Sequence, residues 1–105
     1  MQTIVSIPHQ EYPATVRDLV EEKLQHLLKF NERIVSLRAV LTREADEHRV
    51  ELVATVGHGV TLVVDSRGAT LETSLADSLE RMRRVLTRHK TKLETKSRRG
   101  GRAGH

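Results

Sequence analysis

The chain has 105 residues, 37% of them hydrophobic, with 18 Lys/Arg, 14 Asp/Glu and no cysteine. This length fits one domain with a single core. The lack of cysteine excludes disulfides, thiolate nucleophiles and the commonest zinc frameworks, and it fits a reducing cytoplasm. The longest purely apolar stretches are three residues, far below the ~18 of a membrane-spanning helix, and the N-terminus lacks the pattern of a secretory signal.

The charge is distributed unevenly along the chain. Residues 1–70 hold 8 Lys/Arg and 10 Asp/Glu, whereas residues 71–105 hold 10 Lys/Arg and 4 Asp/Glu. A mildly acidic body with one strongly basic end is the electrostatic pattern of a protein that binds a polyanion. The alternative for such a composition is a solvated, charged C-terminal helix.

The first part of the chain predicts a strand followed by an amphipathic helix. Residues 3–7 are mostly β-branched, and this run stops at Pro8. Pro13 suits the first turn of a helix that continues to about residue 30. The apolar residues of this helix recur at steps of three and four and form one apolar stripe: Val16, Leu19, Val20, Leu24, Leu27 and Leu28.

Three strands are predicted next, at residues 34–42, 49–56 and 60–65. In each of them apolar and polar residues alternate, which is typical of a sheet with one buried face. A polar turn over residues 44–48 joins the first two, and Gly57-His58-Gly59 predicts a tight hairpin between the last two. Residues 66–68 break the last strand.

A second helix begins with Thr70 as its cap. Its predicted buried residues are Leu71, Leu75, Leu79, Met82 and Leu86, with Leu93 as a further candidate. From about residue 95 little can be buried, so we expect residues 95–105 to form a basic, disordered tail. Residues 1–94 then form one domain of order βαβββα. This order predicts an α+β fold, a two-layer sandwich in which two helices cover one face of a four-stranded sheet.

The second helix carries the main candidate binding residues. At about 100° per residue, four basic residues fall within an arc of ~80° that extends over ~16 Å: Arg81, Arg84, Arg88 and Lys92. We call these four residues the basic stripe. The buried leucines point elsewhere, so the stripe faces solvent, and no acid follows its arginines at three or four positions to neutralise them. Because arginine binds phosphate oxygens bidentately, the stripe favours phosphate binding. Arg83 and Lys90 lie on the opposite flank of the helix and enlarge this basic surface.

Other residue types narrow the choice of ligand. Lys23 lies at the edge of the apolar stripe of the first helix, from which its amine can extend toward the ligand of the second helix. Tyr12 and Phe30 are the two aromatic residues, and no predicted strand holds one. Without aromatic residues on the sheet, the protein is expected to recognise the backbone and shape of folded RNA rather than splayed single-stranded bases.

No catalytic or metal site is predicted. The six histidines lack the spacing of metal ligands, and neither a nucleophile elbow nor a phosphate-binding glycine loop occurs. We therefore expect no enzymatic activity, no cofactor and no small-molecule substrate.

Residues 86–93 read Leu-Thr-Arg-His-Lys-Thr-Lys-Leu. This segment is similar to the basic L-T-K-H-K-x-K-L end of the second helix in the hibernation-promoting factor and ribosome-associated inhibitor A family. Residues 17–23, residues 30–34 and the hairpin that ends at Gly68 carry further similarity, so the resemblance covers about residues 1–94. The chain departs from the family at residues 70–72, Thr-Leu-Glu, where an Asp-Met-Tyr type segment is usual.

The resemblance implies a cytoplasmic, non-enzymatic inhibitor of translation. It implies binding to the small ribosomal subunit and its rRNA, in the channel for messenger and transfer RNA, through basic residues of both helices. By position these are Arg17, Lys23, Arg81, Arg84, Arg88, Lys90 and Lys92. Because the chain stops before the dimerisation domain of longer relatives, we expect a monomer. Two other functions stay open: a general binder of structured RNA, for instance in ribosome assembly, and a protein-interaction module that uses the open sheet face.

Overall fold

The computed structural model of the chain describes residues 2–9, 12–29 and 31–101, and it leaves out the side chains of His58 and of residues 91–101. The described elements are β1 (Gln2–Ser6), α1 (Ala14–Lys29), β2 (Ile34–Glu44), β3 (Glu47–Val56), a 3₁₀ turn (Gly57–Gly59), β4 (Val60–Gly68) and α2 (Leu71–Gly101). This order confirms the predicted βαβββα fold.

The four strands form one mixed sheet in the order β1-β2-β3-β4. Strand β1 pairs in parallel with β2, and helix α1 supplies the crossover between them, while β2, β3 and β4 pair antiparallel as hairpins. The register aligns Leu37 with Ala54 and Ala39 with Leu52. Since side chains alternate along a strand, this register places the apolar residues of neighbouring strands on the same face.

Both helices pack on that apolar face, α1 against β1 and β2 and α2 against β3 and β4. Of the apolar residues predicted on their inner sides, eight are buried: Val20, Leu24, Leu27, Leu28, Leu75, Leu79, Met82 and Leu86. Val16 and Leu71 are only half-buried, and Leu19 is 42% exposed. Thr70 caps α2 as predicted, since its Oγ1 accepts a hydrogen bond from the Thr73 backbone amide at 3.1 Å. Asn31 ends α1 by donating its side-chain amide to the Leu27 carbonyl at 2.8 Å.

Three strands are longer than predicted. Strands β2 and β3 meet at a two-residue turn, in which Ala45 has a φ of 53°, rather than at a five-residue turn. Strand β4 continues to Gly68 instead of breaking at residue 66. The charged residues at these strand ends hide the alternation, although the backbone ladder continues through them. Gly68 is also required for close approach, because a Cβ there would lie 2.9 Å from Ser74 Oγ.

Helix α2 also extends beyond its predicted end. Its backbone remains helical to Gly101, whereas composition assigned residues 95–101 to a disordered tail. Residues 87–99 contain neither proline nor glycine, so the chain holds no residue that breaks the helix before Gly100. Residues 102–105 of the predicted tail, and Phe30, lie outside the described residues. No described helix is long and apolar enough to span a membrane.

Candidate nucleic-acid interface

Helix α2 presents its basic residues on two flanks. On the flank toward β4, Arg81 donates a hydrogen bond to the Asp65 carbonyl at 3.2 Å. On the flank toward α1, Arg83 lines a groove with Lys23, and Lys90 lies in a concave corner at the end of α1. The predicted site residues therefore do not form one surface: Lys23 and Lys90 are separated from the basic stripe by the width of α2. The Lys92 side chain lies outside the described residues.

Arg81 is bonded within the fold. Its Nε lies 2.9 Å from Asp77 Oδ2, and the same carboxylate oxygen accepts a hydrogen bond from the hydroxyl of the buried Ser66. Together with the bond to the Asp65 carbonyl, these contacts join α2 to the edge strand β4. This arrangement gives Arg81 a structural role that the helical spacing alone did not reveal.

The expectation that no acid neutralises the stripe is wrong. It considered only the positions that follow each arginine, whereas the partners precede them by four residues. Glu80 Oε1 lies 2.6 Å from Arg84 Nη2, just as Asp77 pairs with Arg81. Both pairs are exposed and contribute little to stability, but they offset positive charge. Arg88 is exposed and has no ion pair among the described residues.

The two predicted residues of α1 lie in different places. Arg17 donates a hydrogen bond to the Val5 carbonyl, so its guanidinium lies against β1, away from α2. Lys23 is exposed and lies in the groove between the helices, opposite Arg83. The structure thus brings Lys23, but not Arg17, near the basic residues of α2.

The groove between α1 and α2 has a volume of about 1220 Å³. Leu75 and Leu79 form part of its floor beside the half-exposed Leu19. Its rim is mixed in charge and is lined by Glu22, Lys23, His26, Lys29, Glu32, Glu72 and Arg83. The acidic side chains of this rim offset part of its positive charge.

Sequence reasoning missed a cationic corner at the end of this groove. Two smaller hollows of about 420 and 780 Å³ share Asn31 and Thr87. We call the region around them the α1–α2 corner; its basic residues are Lys29, Arg33, Arg83 and Lys90. A helical wheel of α2 shows only that Arg83 and Lys90 share a flank. That Lys29 and Arg33 lie opposite them depends on how the two helices pack on the sheet.

The open face of the sheet holds an ion-pair cluster. Arg49 donates to Asp65 Oδ2 from Nε at 3.0 Å and from Nη2 at 2.7 Å, and Nη2 lies 3.6 Å from Glu51. The hydrogen bond from Arg49 lowers the pKa of Asp65. Because Arg49 is paired in this way, the cluster leaves little free positive charge for a polyanion.

Tyr12, His48 and Ser74 bond to one another within the fold. The hydroxyl of the half-buried Tyr12 lies 2.6 Å from His48 Nδ1, and Ser74 Oγ donates to the His48 carbonyl at 2.7 Å. Among the described residues, no group of three or more His, Asp or Glu side chains is placed to hold a metal ion.

The model of the sigma 54 modulation protein / S30EA ribosomal protein family matches residues 3–94. A ribosomal subunit interface protein from Coxiella burnetii is similar with a TM-score of 0.77 and 13% identity, over 87% of this chain and 99% of its own. The N-terminal domain of Thermus thermophilus Protein Y is similar with a TM-score of 0.69 and 21% identity, over 83% of this chain and 94% of its own. At these identities the likeness shows the fold. No curated protein sequence matches the chain.

Proposed function

The chain belongs to the sigma 54 modulation protein / S30EA ribosomal protein family, and from this premise we propose that it silences ribosomes by occupying the channel for messenger and transfer RNA on the small subunit. The family confirms the resemblance drawn from residues 86–93: this is a ribosome-associated protein of the hibernation-factor family. Small-subunit rRNA is the partner that we propose for its basic surface.

The observation that carries the proposal is the free positive charge on α2. Arg83, Arg88 and Lys90 are exposed, and none of them has an ion pair among the described side chains. Each can therefore contact a phosphate without first losing a carboxylate partner. Two or more such contacts release counterions from RNA, which is the main source of affinity in backbone recognition.

The proposed inhibition requires occupancy and no chemistry. A folded domain with phosphate contacts along one helix excludes other RNA from the same channel for as long as it stays bound. The described strands carry no aromatic side chain, which supports recognition of the RNA backbone rather than of stacked bases.

Co-sedimentation of the full chain with small ribosomal subunits tests the proposal. Arg84→Glu with Arg88→Glu reverses two charges on α2, and we expect the affinity to fall by about tenfold or more, since like charges then face the phosphates. The matched control is Arg38→Glu with Arg67→Glu, which makes the same charge change at two exposed positions on the open sheet face. This control should bind like the unmodified protein.

The control also tests the second candidate function. On the open sheet face, Ile4, Val35 and Val63 are 46%, 56% and 54% exposed. Exposed apolar side chains on one face favour a role in docking another protein. If the sheet-face variant loses binding and the α2 variant keeps it, the ribosome is contacted through the sheet and the basic helix is only solvated.

A further inference from the structure

The α1–α2 corner lies where the end of α1, the start of β2 and the middle of α2 meet. The larger of its two hollows, of about 780 Å³, has the buried side chains of Ile34, Val56 and Leu86 at its base. The smaller hollow adjoins it through Asn31 and Thr87 and adds Arg83. A concave site with an apolar base and polar walls is the usual form of a small-ligand site.

The corner holds four cationic side chains and little to neutralise them. Lys29, Arg33, Arg83 and Lys90 are all exposed, and none has an ion pair among the residues with described side chains. Glu32 is the one acidic residue that lines either hollow. The β4 flank of α2 differs, because its Arg81 and Arg84 are already paired with Asp77 and Glu80.

The backbone around the corner is fixed by its own hydrogen bonds. The Asn31 side chain donates to the Leu27 carbonyl, and the Asn31 carbonyl accepts a bond from the Ile34 amide at 3.1 Å. These two bonds hold the segment that carries Lys29 and Arg33. The exposed Thr87 hydroxyl has no hydrogen-bond partner among the described residues, so it is available as a donor.

We propose that the α1–α2 corner is a phosphate-binding site for a ligand with two or more adjacent phosphates. Neighbouring cations without counterions repel one another, and an anion that contacts several of them removes this repulsion. The guanidinium groups of Arg33 and Arg83 supply paired donors, and the two lysines supply point charges. Adjacent phosphates match a site that distributes its cations over two joined hollows.

Such phosphates come either from successive nucleotides of an RNA strand or from a free oligophosphate. The first source rests on the proposed function, since it makes the corner part of the ribosome contact. The second does not, and would make the corner an independent small-molecule site. Titration of the free protein with an oligophosphate tests whether the site exists, whatever the function of the protein is.

The test is a titration of tripolyphosphate into the full chain, in which NMR monitors the chemical shifts of the backbone amides. We expect saturable shifts at Asn31 and Thr87, and the variant Arg83→Gln with Lys90→Gln should weaken binding by about tenfold. The matched control, Arg84→Gln with Arg88→Gln, removes the same charge from the other flank and should change affinity by less than about twofold. Glu32→Gln should bind more tightly. Absence of saturable binding, or equal weakening in both double variants, overturns the proposal.

Ribosome binding then identifies the source of the phosphates. If the Arg83→Gln, Lys90→Gln variant also loses affinity for ribosomes and tripolyphosphate displaces the unmodified protein, the corner binds an RNA strand. If that variant loses affinity for tripolyphosphate but binds ribosomes like the unmodified protein, the corner binds a free oligophosphate. A protein that fails to bind ribosomes at all would contradict the proposed function, while the titration still decides on the site.

Discussion

Arg81 Nε lies 2.9 Å from Asp77 Oδ2, one turn earlier on the same helix. The pair differs from an ordinary surface i,i+4 pair because Asp77 also accepts the hydroxyl of Ser66, which is 3% exposed on β4. Asp77 thus connects a buried strand hydroxyl to an exposed guanidinium. Because Arg81 also donates to the Asp65 carbonyl, Asp77 and Arg81 together attach α2 to the sheet edge.

Asp77→Ala should therefore destabilise the protein by about 1–3 kcal/mol, because it leaves the buried Ser66 hydroxyl without its acceptor. Glu80→Ala is the matched control, since it removes an acid from the same helix whose partner, Arg84, is exposed. We expect that change to stay within about 0.5 kcal/mol. Urea unfolding followed by circular dichroism measures both, and equal effects would show that the Ser66 bond contributes nothing.

Arg88→Gln should weaken ribosome binding more than Arg81→Gln, although both remove one stripe charge. Arg88 is free to contact a phosphate, whereas Arg81 is held by Asp77 and β4. For the unmodified protein we expect log K to fall with log salt at a slope of about −3 to −6, and the loss of Arg88 should reduce that slope by about 1. Binding measured over a series of salt concentrations gives both slopes. An unchanged slope for Arg88→Gln would show that Arg88 does not contact a phosphate.

The elements of this fold were predictable because each has its own periodicity. Val20, Leu24, Leu27 and Leu28 repeat at helical steps, and β2 and β3 alternate, so the local pattern sufficed for the type and order of elements. It failed at Gly68, where charged neighbours end the alternation before the strand ends.

The candidate site was predicted less well, because it depends on contacts between elements. A helical wheel places Arg81 and Arg88 on one face of α2. It describes α2 alone, so it could not show that Arg81 bonds to the Asp65 carbonyl of β4. Nor could it show that Asp77, the partner of Arg81, accepts the Ser66 hydroxyl. For the same reason no local pattern indicates that Lys29 and Arg33 lie opposite α2, because the sheet sets the position of both helices.

Stability should depend on Asp65 in the acid range. The hydrogen bond from Arg49 lowers the pKa of Asp65 in the folded protein. A lowered folded-state pKa gives stability that is fully present above the unfolded-state value of about 3.9 and is lost as the pH falls through the folded-state value. The advantage of the unmodified protein over Asp65→Asn should therefore be constant at neutral pH and shrink below about pH 4.

Asp46→Asn in the exposed turn between β2 and β3 is the control for this pH dependence. Unfolding in urea at several pH values from neutral to acid gives the difference between each variant and the unmodified protein. A constant difference for Asp65→Asn down to the most acidic pH would show that its carboxylate is not what Arg49 stabilises.

Occupancy of the channel predicts stoichiometric inhibition of translation. Half-maximal inhibition of a cell-free reaction should require about half a molecule of protein per ribosome when both are well above the dissociation constant, because each bound molecule silences one ribosome and none turns over. Excess messenger RNA together with initiator transfer RNA should relieve the inhibition, since these ligands claim the same space. The Arg84→Glu, Arg88→Glu variant should need far more protein, because its reversed charges face RNA phosphates, while the Arg38→Glu, Arg67→Glu control should inhibit like the unmodified chain. Inhibition at far below one molecule per ribosome would indicate an enzymatic activity, and inhibition that resists saturating messenger and transfer RNA would place the binding site outside the channel.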